Sequence, residues 1–476
     1  PRKIAIGDFI MLTYSFSDRG GESLYGYLYR CIKEDILNGI LAPEDRLPSK
    51  RSLAKHLGVS AITVENAYAQ LMAEGYIYSM PKKGYYVSNI SKGTVKAAFS
   101  STSSIPVPKT PEAPAYFADF SSSQTHPDTF PFSIWAKLVR EVMAGDSMAL
   151  MERPPSGGIL PLREEIARYL KQFRGMAVAP EQIVVGAGTE YLYGLLIQLL
   201  GHDKVYAVED PGYQKVGAIF QSNHAACHHI PLDGQGIRTE CLKESGAEIV
   251  HISPSHHFPT GIIMPIGRRY QLLGWAAEKD SHYIIEDDYD CEFRFMGKPI
   301  PALQSIDSMG KVIYMNTFSK TLASTIRISY MVLPGHLMER FYREMGFYSC
   351  TVSNFEQYTL TRFLQDGHFE RHINRMRNYY HNQRDLLLRY LKDSSLAPRT
   401  VIMEENAGLH FLMQVDTPAS NDAIMQRAKE QGIRLSSLSQ YYYHGCPGKE
   451  HVFLINYSAI HPGHMQEAVD RLCQVF

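Results

Sequence analysis

Ser100-Ser101-Thr102-Ser103-Ser104, followed by Pro106, Pro108, Pro111 and Pro114, divides this chain. Such a stretch has too little apolar surface to offset the entropy lost on ordering it, and its prolines favour an extended linker. No single core can run through it. The expected organisation is therefore a small unit over 22–90, a linker over 91–123 and a large unit over 124–476. A net charge of −1 rules out a general basic coat, so any nucleic-acid surface must be local. Seven cysteines at 31, 227, 241, 291, 350, 446 and 473 are scattered without a C-x-x-C pair. That usage suits a reducing compartment. No apolar run reaches the length of a membrane span, and Pro1-Arg2-Lys3 opens without the apolar run of a signal peptide. A cytoplasmic protein without a membrane partner is expected.

Within the small unit, Leu24, Leu28, Ile32 and Ile36 recur every four residues and predict a helix stopped by Asn38-Gly39. Ser49 caps a second helix carrying Leu53 and Leu57 inward. Gly58-Val59 turns the chain, and Ser60 caps a third helix with Val64, Ala67 and Leu71 inward. Tyr76–Met80 and Tyr85–Val87 flank Pro81-Lys82-Lys83-Gly84, a hairpin with basic residues at its tip. Helix, helix, tight turn, helix, hairpin is the layout of a winged helix-turn-helix, which sets the start of the third helix into a major groove. Residues 22–90 hold eight Lys/Arg against seven Asp/Glu, but the basic ones cluster before the motif and at the wing. Arg46, Lys50, Arg51, Lys82 and Lys83 are the candidate phosphate contacts, and Ser60, Thr63 and Asn66 the candidate base contacts. A three-helix protein-interaction module has the same outline.

In the large unit, Gln182–Val185, Lys204–Ala207, Glu248–Ile252, Tyr283–Glu286 and Lys311–Tyr314 are short apolar runs separated mostly by helical patterns. That alternation predicts a mostly parallel sheet covered by helices. Four motifs sit at run ends. Lys320 follows the strand Val312–Met315 beside Thr317 and Ser319, with Arg327 seven residues on. Asp287 lies in a cluster of four acids in five residues, Glu286–Asp290, which also contains Tyr289. Gly186-Ala187-Gly188-Thr189 joins a strand to a helix, where backbone N–H groups bind phosphate. Tyr213 ends Asp210-Pro211-Gly212-Tyr213, a turn able to present a ring.

A lysine for covalent attachment, an acid for a pyridine nitrogen, an anion cradle and a ring partner are what pyridoxal 5'-phosphate requires. The candidates are Lys320 as catalytic and attachment residue, Asp287 at the ring nitrogen and Tyr289 at the phenolic oxygen. Gly188, Thr189, Thr317, Ser319 and Arg327 are candidates for the phosphate, and Tyr213 for the ring face. Taken separately each has a plainer reading, and the acid cluster also suits a divalent metal. His224, Cys227, His228 and His229 form a second metal-like spacing without a nearby acid.

Two resemblances join these motifs. Gly39–Arg51, then Leu53-Ala54, Leu57-Gly58-Val59-Ser60 and Thr63-Val64, resemble the GntR-type winged helix, with Ala61 where an arginine often follows the serine and with Glu65 close by. Ile284–Phe293, Val312–Lys320, Ser253–Gly261 and Ala407–Phe411 resemble fold-type-I aminotransferases. Over 22–476 the chain resembles the MocR/GabR-type regulators. The resemblance implies an α/β chain with a winged-helix head, a fold-type-I aminotransferase-like domain, operator DNA as partner, a head-to-tail homodimer, and a small amine or amino-acid effector that reacts with the cofactor. Leu454 stands where aminotransferases keep a carboxylate-binding arginine, and Phe258 where they keep a cofactor-binding asparagine that His256 would replace. Efficient turnover is therefore not expected. The other reading is an active aminotransferase with an accessory head.

Overall fold

The computed structural model describes residues 3–6, 9–17, 19–90, 115–122, 125–295, 300–406, 408–445 and 450–476. The chain forms two compact units, Pro1–Glu112 and Ala113–Phe476. Residues 91–114, most of the expected linker, lie outside the described residues, as does Cys446.

In the first unit α1 (Leu24–Leu37), α2 (Lys50–Leu57) and α3 (Ala61–Ala73) surround one apolar core. Ser49 and Ser60 cap α2 and α3 by accepting from the N–H groups of Ser52 and Thr63, both at 3.1 Å. Gly58 between them takes φ +67°, a left-handed conformation that costs glycine little. The strands β1 (Lys3–Ile6) and β2 (Phe9–Leu12) form a hairpin, and β3 (Arg46–Leu47), β4 (Ile77–Met80) and β5 (Gly84–Val87) form the wing sheet in the order β3-β5-β4. The head reaches upstream of the expected start at residue 22. Ile10, Leu12 and Tyr14 are buried in the helical core, and the Tyr14 hydroxyl donates to the fully buried Asp35 at 2.8 Å. A buried carboxylate requires such a donor.

The second unit opens with β6 (Ala118–Asp119). Its main sheet comprises β7 (Ile183–Gly186), β8 (Val205–Asp210), β9 (Ala226–Asp233), β10 (Gly236–Ile237), β11 (Ile249–Ile252), β12 (Tyr283–Asp287), β13 (Val312–Thr317) and β14 (Ser329–Val332). Their order among the described residues is β10-β9-β8-β11-β12-β13-β14-β7. Neighbours from β9 to β13 are parallel, as expected, while β14 runs antiparallel to both β13 and β7. Apolar clusters line the sheet through residues such as Val185, Tyr314 and Tyr330, or Leu196, Ile285 and Met331, so helices cover both faces. A second sheet, antiparallel, orders β15 (Thr400–Met403), β16 (His410–Val415), β19 (Val452–Asn456) and β18 (Ser436–Ser437) as β15-β16-β19-β18. β17 (Ile433–Arg434) pairs with β6, so residues 117–120 of the expected linker already belong to this unit. One face of the second sheet packs Phe411, Phe453 and Ile455 beneath the helices His368–Lys392 and Met465–Val475.

The helix Leu160–Arg174 ends in a buried ion pair. Arg174 Nη2 lies 2.5 Å from Asp288 Oδ2, with 3% and 1% of the two side chains exposed. The same guanidinium donates to the Ile300 carbonyl at 2.6 Å and to Ser255 Oγ at 3.1 Å. Removing one partner of such a pair leaves a buried charge. Arg174→Met should therefore lower unfolding stability by about 3–5 kcal/mol, and adding Asp288→Asn should recover part of that loss. Denaturant midpoints of the natural protein, both single variants and the double variant measure it; a double variant as unstable as the sum of the singles would contradict the pairing.

Candidate functional site

Parallel strands present their carboxyl ends at one edge of a sheet, where clefts form. Here β8, β11, β12 and β13 end in Asp210, Ile252, Asp287 and Thr317, and β7, also pointing that way, ends in Gly186. Two reversals of direction, into and out of β14, bring the start of β14 beside both Thr317 and Gly186, through the pairs Ser329–Thr317 and Ser329–Gly186. Arg327 is thereby carried to the glycine turn. A cleft of about 240 Å³ opens at this edge, lined by Thr189, Tyr213, Asp287, Tyr289, Thr317, Ser319, Lys320 and Arg327 among others.

β12 and the turn that follows it send the four acids to different partners. Glu286 accepts from the N–H groups of Leu303 (2.7 Å) and Gln304 (2.9 Å), and burial pushes its carboxyl upward. Asp288 meets Arg174 and the Tyr314 hydroxyl (2.7 Å), and Asp290 meets His256 Nδ1 (2.8 Å). Asp287 faces the cleft. Its Oδ2 accepts from the Tyr193 hydroxyl at 2.9 Å, and His251 Nε2 stands 2.8 Å from that hydroxyl and 3.5 Å from Oδ2. Its Oδ1 is buried without a hydrogen-bond partner. The acids thus diverge rather than converge, and no group of three or more His, Cys, Asp or Glu gathers as metal ligands among the described residues. His229 of the other metal-like cluster instead stacks on Tyr443 at 3.7 Å.

Lys320 is partly buried, and the desolvation holds its ammonium below the ordinary lysine range against the opposing pull of Asp290 and Asp287. Arg327 sits at φ +55°, and its Nη2 pairs with Glu190 Oε2 at 2.9 Å. Lys215 pairs with the same carboxylate. Gly188 lies directly against Arg327: a Cβ there would come within 2.2 Å of Nη2. The helix Thr189–Leu200 starts at this point with its N–H groups available to an anion. The Thr317 hydroxyl is engaged within the chain, accepting from Ser319 N (3.1 Å) and Ser329 Oγ (2.8 Å). Tyr213 is half exposed at the cleft, its ring edge-on to Phe258 with 5.8 Å between centroids.

His256 does not line the cleft; it stands behind Tyr289, 3.3 Å from the tyrosine hydroxyl. Among the other lining residues, Lys215, Ser324 and Asn456 carry no local sequence signal, Glu190 follows the glycine turn, and Ser253, Leu409 and His410 fall in the stretches that resemble aminotransferases. Tyr193 and His251, which orient Asp287, are equally unmarked, although Tyr193 falls one helical turn after Thr189 on the helix that follows the glycine turn. Pyridoxal 5'-phosphate fits these residues on three counts. An unpartnered buried carboxylate oxygen awaits a protonated ring nitrogen, a partly buried lysine is eased toward its neutral amine, and a side-chain-free turn adjoins an arginine and a helix N-terminus.

On the head, Arg51, Ser60, Asn66, Lys82 and Lys83 are exposed, and Arg46, Lys50 and Thr63 partly so. Lys50 Nζ pairs with Glu65 Oε1 at 2.5 Å, and Ser60 and Thr63 share a 2.8 Å hydrogen bond. No helix of the described residues is long and apolar enough to cross a membrane.

Residues 119–472 match the family described as aminotransferase class I and II, and residues 24–87 match bacterial regulatory proteins, gntR family. Similar proteins include the uncharacterized HTH-type transcriptional regulator YdeL of Bacillus subtilis, 37% identical over 94% of this chain and 96% of that protein. The probable rhizopine catabolism regulatory protein MocR of Rhizobium meliloti is 30% identical over 95% of this chain and 94% of its own. The HTH-type pyridoxine biosynthesis transcriptional regulator PdxR of Corynebacterium glutamicum is 30% identical over 86% and 87%. Among solved structures, a kynurenine aminotransferase of Pyrococcus horikoshii superposes with a TM-score of 0.66 at 24% identity, covering 76% of this chain and 91% of that one.

Glu209, at the end of β8, gives the site a pH signature. Burial pushes its carboxyl up to about 8, while Ser253 N donates to Oε2 at 3.0 Å and His257, itself held down to about 3 by burial, lies 3.4 Å away. A carboxyl whose folded value exceeds its unfolded value favours the fold most below pH ~4.5, and that advantage is lost as pH rises through about 8. Compared with Glu209→Gln, the natural protein should lose on the order of a few kcal/mol across that window. Thermal melts of both proteins at pH 5 and pH 8.5 measure it; parallel shifts would contradict the assignment.

Proposed function

The chain belongs to the MocR-type HTH transcriptional regulators, a gntR-family head on an aminotransferase class I and II domain with pyridoxal 5'-phosphate as cofactor, and from that premise we propose that it senses a small amine through the cofactor and changes its hold on operator DNA. The observation that carries the ligand-sensing half is the unpartnered Oδ1 of Asp287 in the same cleft as Lys320. When bound, the cofactor supplies an aldehyde that condenses reversibly with primary amines and a pyridinium that withdraws electrons. Asp287, fixed by Tyr193 and His251, keeps the ring nitrogen protonated. Desolvation of Lys320 raises the share of neutral, nucleophilic amine. Arg327 and the first N–H groups of the helix Thr189–Leu200 hold the phosphate, and Arg327 exchanges its bond to Glu190 for that contact. Tyr213 covers the ring face and Tyr289 reaches the phenolic oxygen.

On the head, Arg46, Lys50, Arg51, Lys82 and Lys83 contact phosphates, and Ser60, Thr63 and Asn66 approach base edges from the start of α3. Lys50 must release Glu65 to do so. A cytoplasmic homodimer places two heads on two half-sites. Phe132, Met148, Met151 and Phe347, between 65% and 79% exposed, offer apolar surface for the second copy.

Two outcomes are expected. Lys320→Ala should fold and dimerise yet lose the amine-dependent change in operator affinity; operator titrations with and without cofactor and amine decide it, and a variant that responds like the natural protein would leave covalent attachment without a role. Arg51→Ala should weaken binding to all sequences and flatten the salt dependence by about one unit, whereas Thr63→Ala should change sequence preference. Unaltered affinity after Arg51→Ala with Lys82→Ala would remove the groove assignment.

A further inference from the structure

The charges of the cleft are unevenly spread. Its lysines and arginines among the described residues are Lys215, Lys320 and Arg327. Lys215 and Arg327 both pair with Glu190 beside the glycine turn, and Lys320 is the attachment residue. Phe258, Leu409 and His410 line another part of the cleft, where the Asp290 carboxylate is already paired with His256 Nδ1 at 2.8 Å. Phe258 lies edge-on to Tyr213, His410 and Tyr441, with centroids 5.8, 5.4 and 5.3 Å away. Behind it Leu412, Leu438, Val452 and Leu454 form a closed apolar cluster. Alternation along β19 puts Leu454 on the face that also carries Asn456, a lining residue of the cleft. Burial holds His410 well below the usual histidine range, so it is uncharged, and its Nε2 is taken by the Pro259 carbonyl at 3.2 Å. Asn456 Oδ1 accepts from Ser458 N (2.9 Å) and Oγ (2.7 Å), which leaves a neutral amide as the polar donor it turns to the cleft.

A carboxylate brought to this part would exchange water for apolar rings, one neutral amide and the like charge of Asp290. A buried anion needs a cation or several donors to compensate its desolvation. An amine without a carboxylate avoids that cost, and an apolar body is matched by Phe258 and Leu409. We infer that the effector is a primary amine with an apolar body and no carboxylate, and that Phe258 and Leu454 set this choice. The inference rests on the amine-sensing reading above and gives it a ligand class.

The experiment uses the full chain with cofactor and operator DNA, and pairs of ligands that differ only by a carboxylate: phenethylamine with phenylalanine, and isopentylamine with leucine. Each is titrated while the cofactor absorbance and the operator affinity are followed. Losing one charge-assisted contact is worth about 1.5–3 kcal/mol, so each amine should act at a concentration at least about tenfold below that of its amino acid. Leu454→Arg should narrow or reverse the preference. If that variant does not fold, Phe258→Asn, which puts a polar amide in the wall, should narrow the same preference. Amino acids acting as well as the amines on the natural protein overturn the inference while leaving amine sensing in place. A cofactor-loaded protein indifferent to both classes overturns both.

Discussion

Four carboxylates in five residues cannot be buried at the end of a strand unless each finds its own partner. Desolvating an unpaired carboxylate costs several kcal/mol, comparable with the whole stability of a domain. The large unit is arranged around this demand. Arg174 comes from one helix to Asp288, Tyr193 from another to Asp287, and two backbone N–H groups at 303–304 reach Glu286. His256 arrives from the loop after β11 to hold Asp290. Strand, helix and loop placements that look independent are linked through these contacts. Two oxygens are left over, Oδ1 of Asp287 and Oδ1 of Asp288, and the first belongs to the side chain that lines the cleft.

The same economy governs the cradle. A purely parallel sheet would place the chain after β13 on the far side of a crossover. Reversing β14 returns it at once, so that Arg327 lands between the ends of β13 and β7. Gly188 must lack a side chain because the arginine occupies that space.

What the sequence disclosed follows from range. Helix caps at Ser49 and Ser60 depend on three or four neighbouring residues and were readable. So were the strand ends bearing Asp287, Lys320, Tyr213 and the glycine turn, because parallel strands in an α/β chain must end at a common edge. The support for Asp287 was not: Tyr193 is 94 residues distant in sequence, and nothing local distinguishes it from other buried tyrosines. The reversal of β14 was hidden for a similar reason, since a short apolar run does not carry its own direction. Residues 10–14 of the head carry no such signal, because a tyrosine paired with a buried aspartate leaves no periodicity. Thr317 lines the cleft from the strand end where it was expected, and its hydroxyl accepts from Ser319 N and Ser329 Oγ.

Where the chain enters the large unit bears on how a signal leaves it. Phe117 and β6 are fastened to the antiparallel side of the molecule, with Phe117 N donating to Gly432 O at 2.7 Å and β6 paired to β17. The next residue, Phe120, accepts at 2.8 Å from the backbone of Asn456, whose side chain lines the cleft. The point where the chain joins the large unit and a residue that lines the cleft are thus two ends of one backbone hydrogen bond, so a displacement of Asn456 is felt first at Phe120.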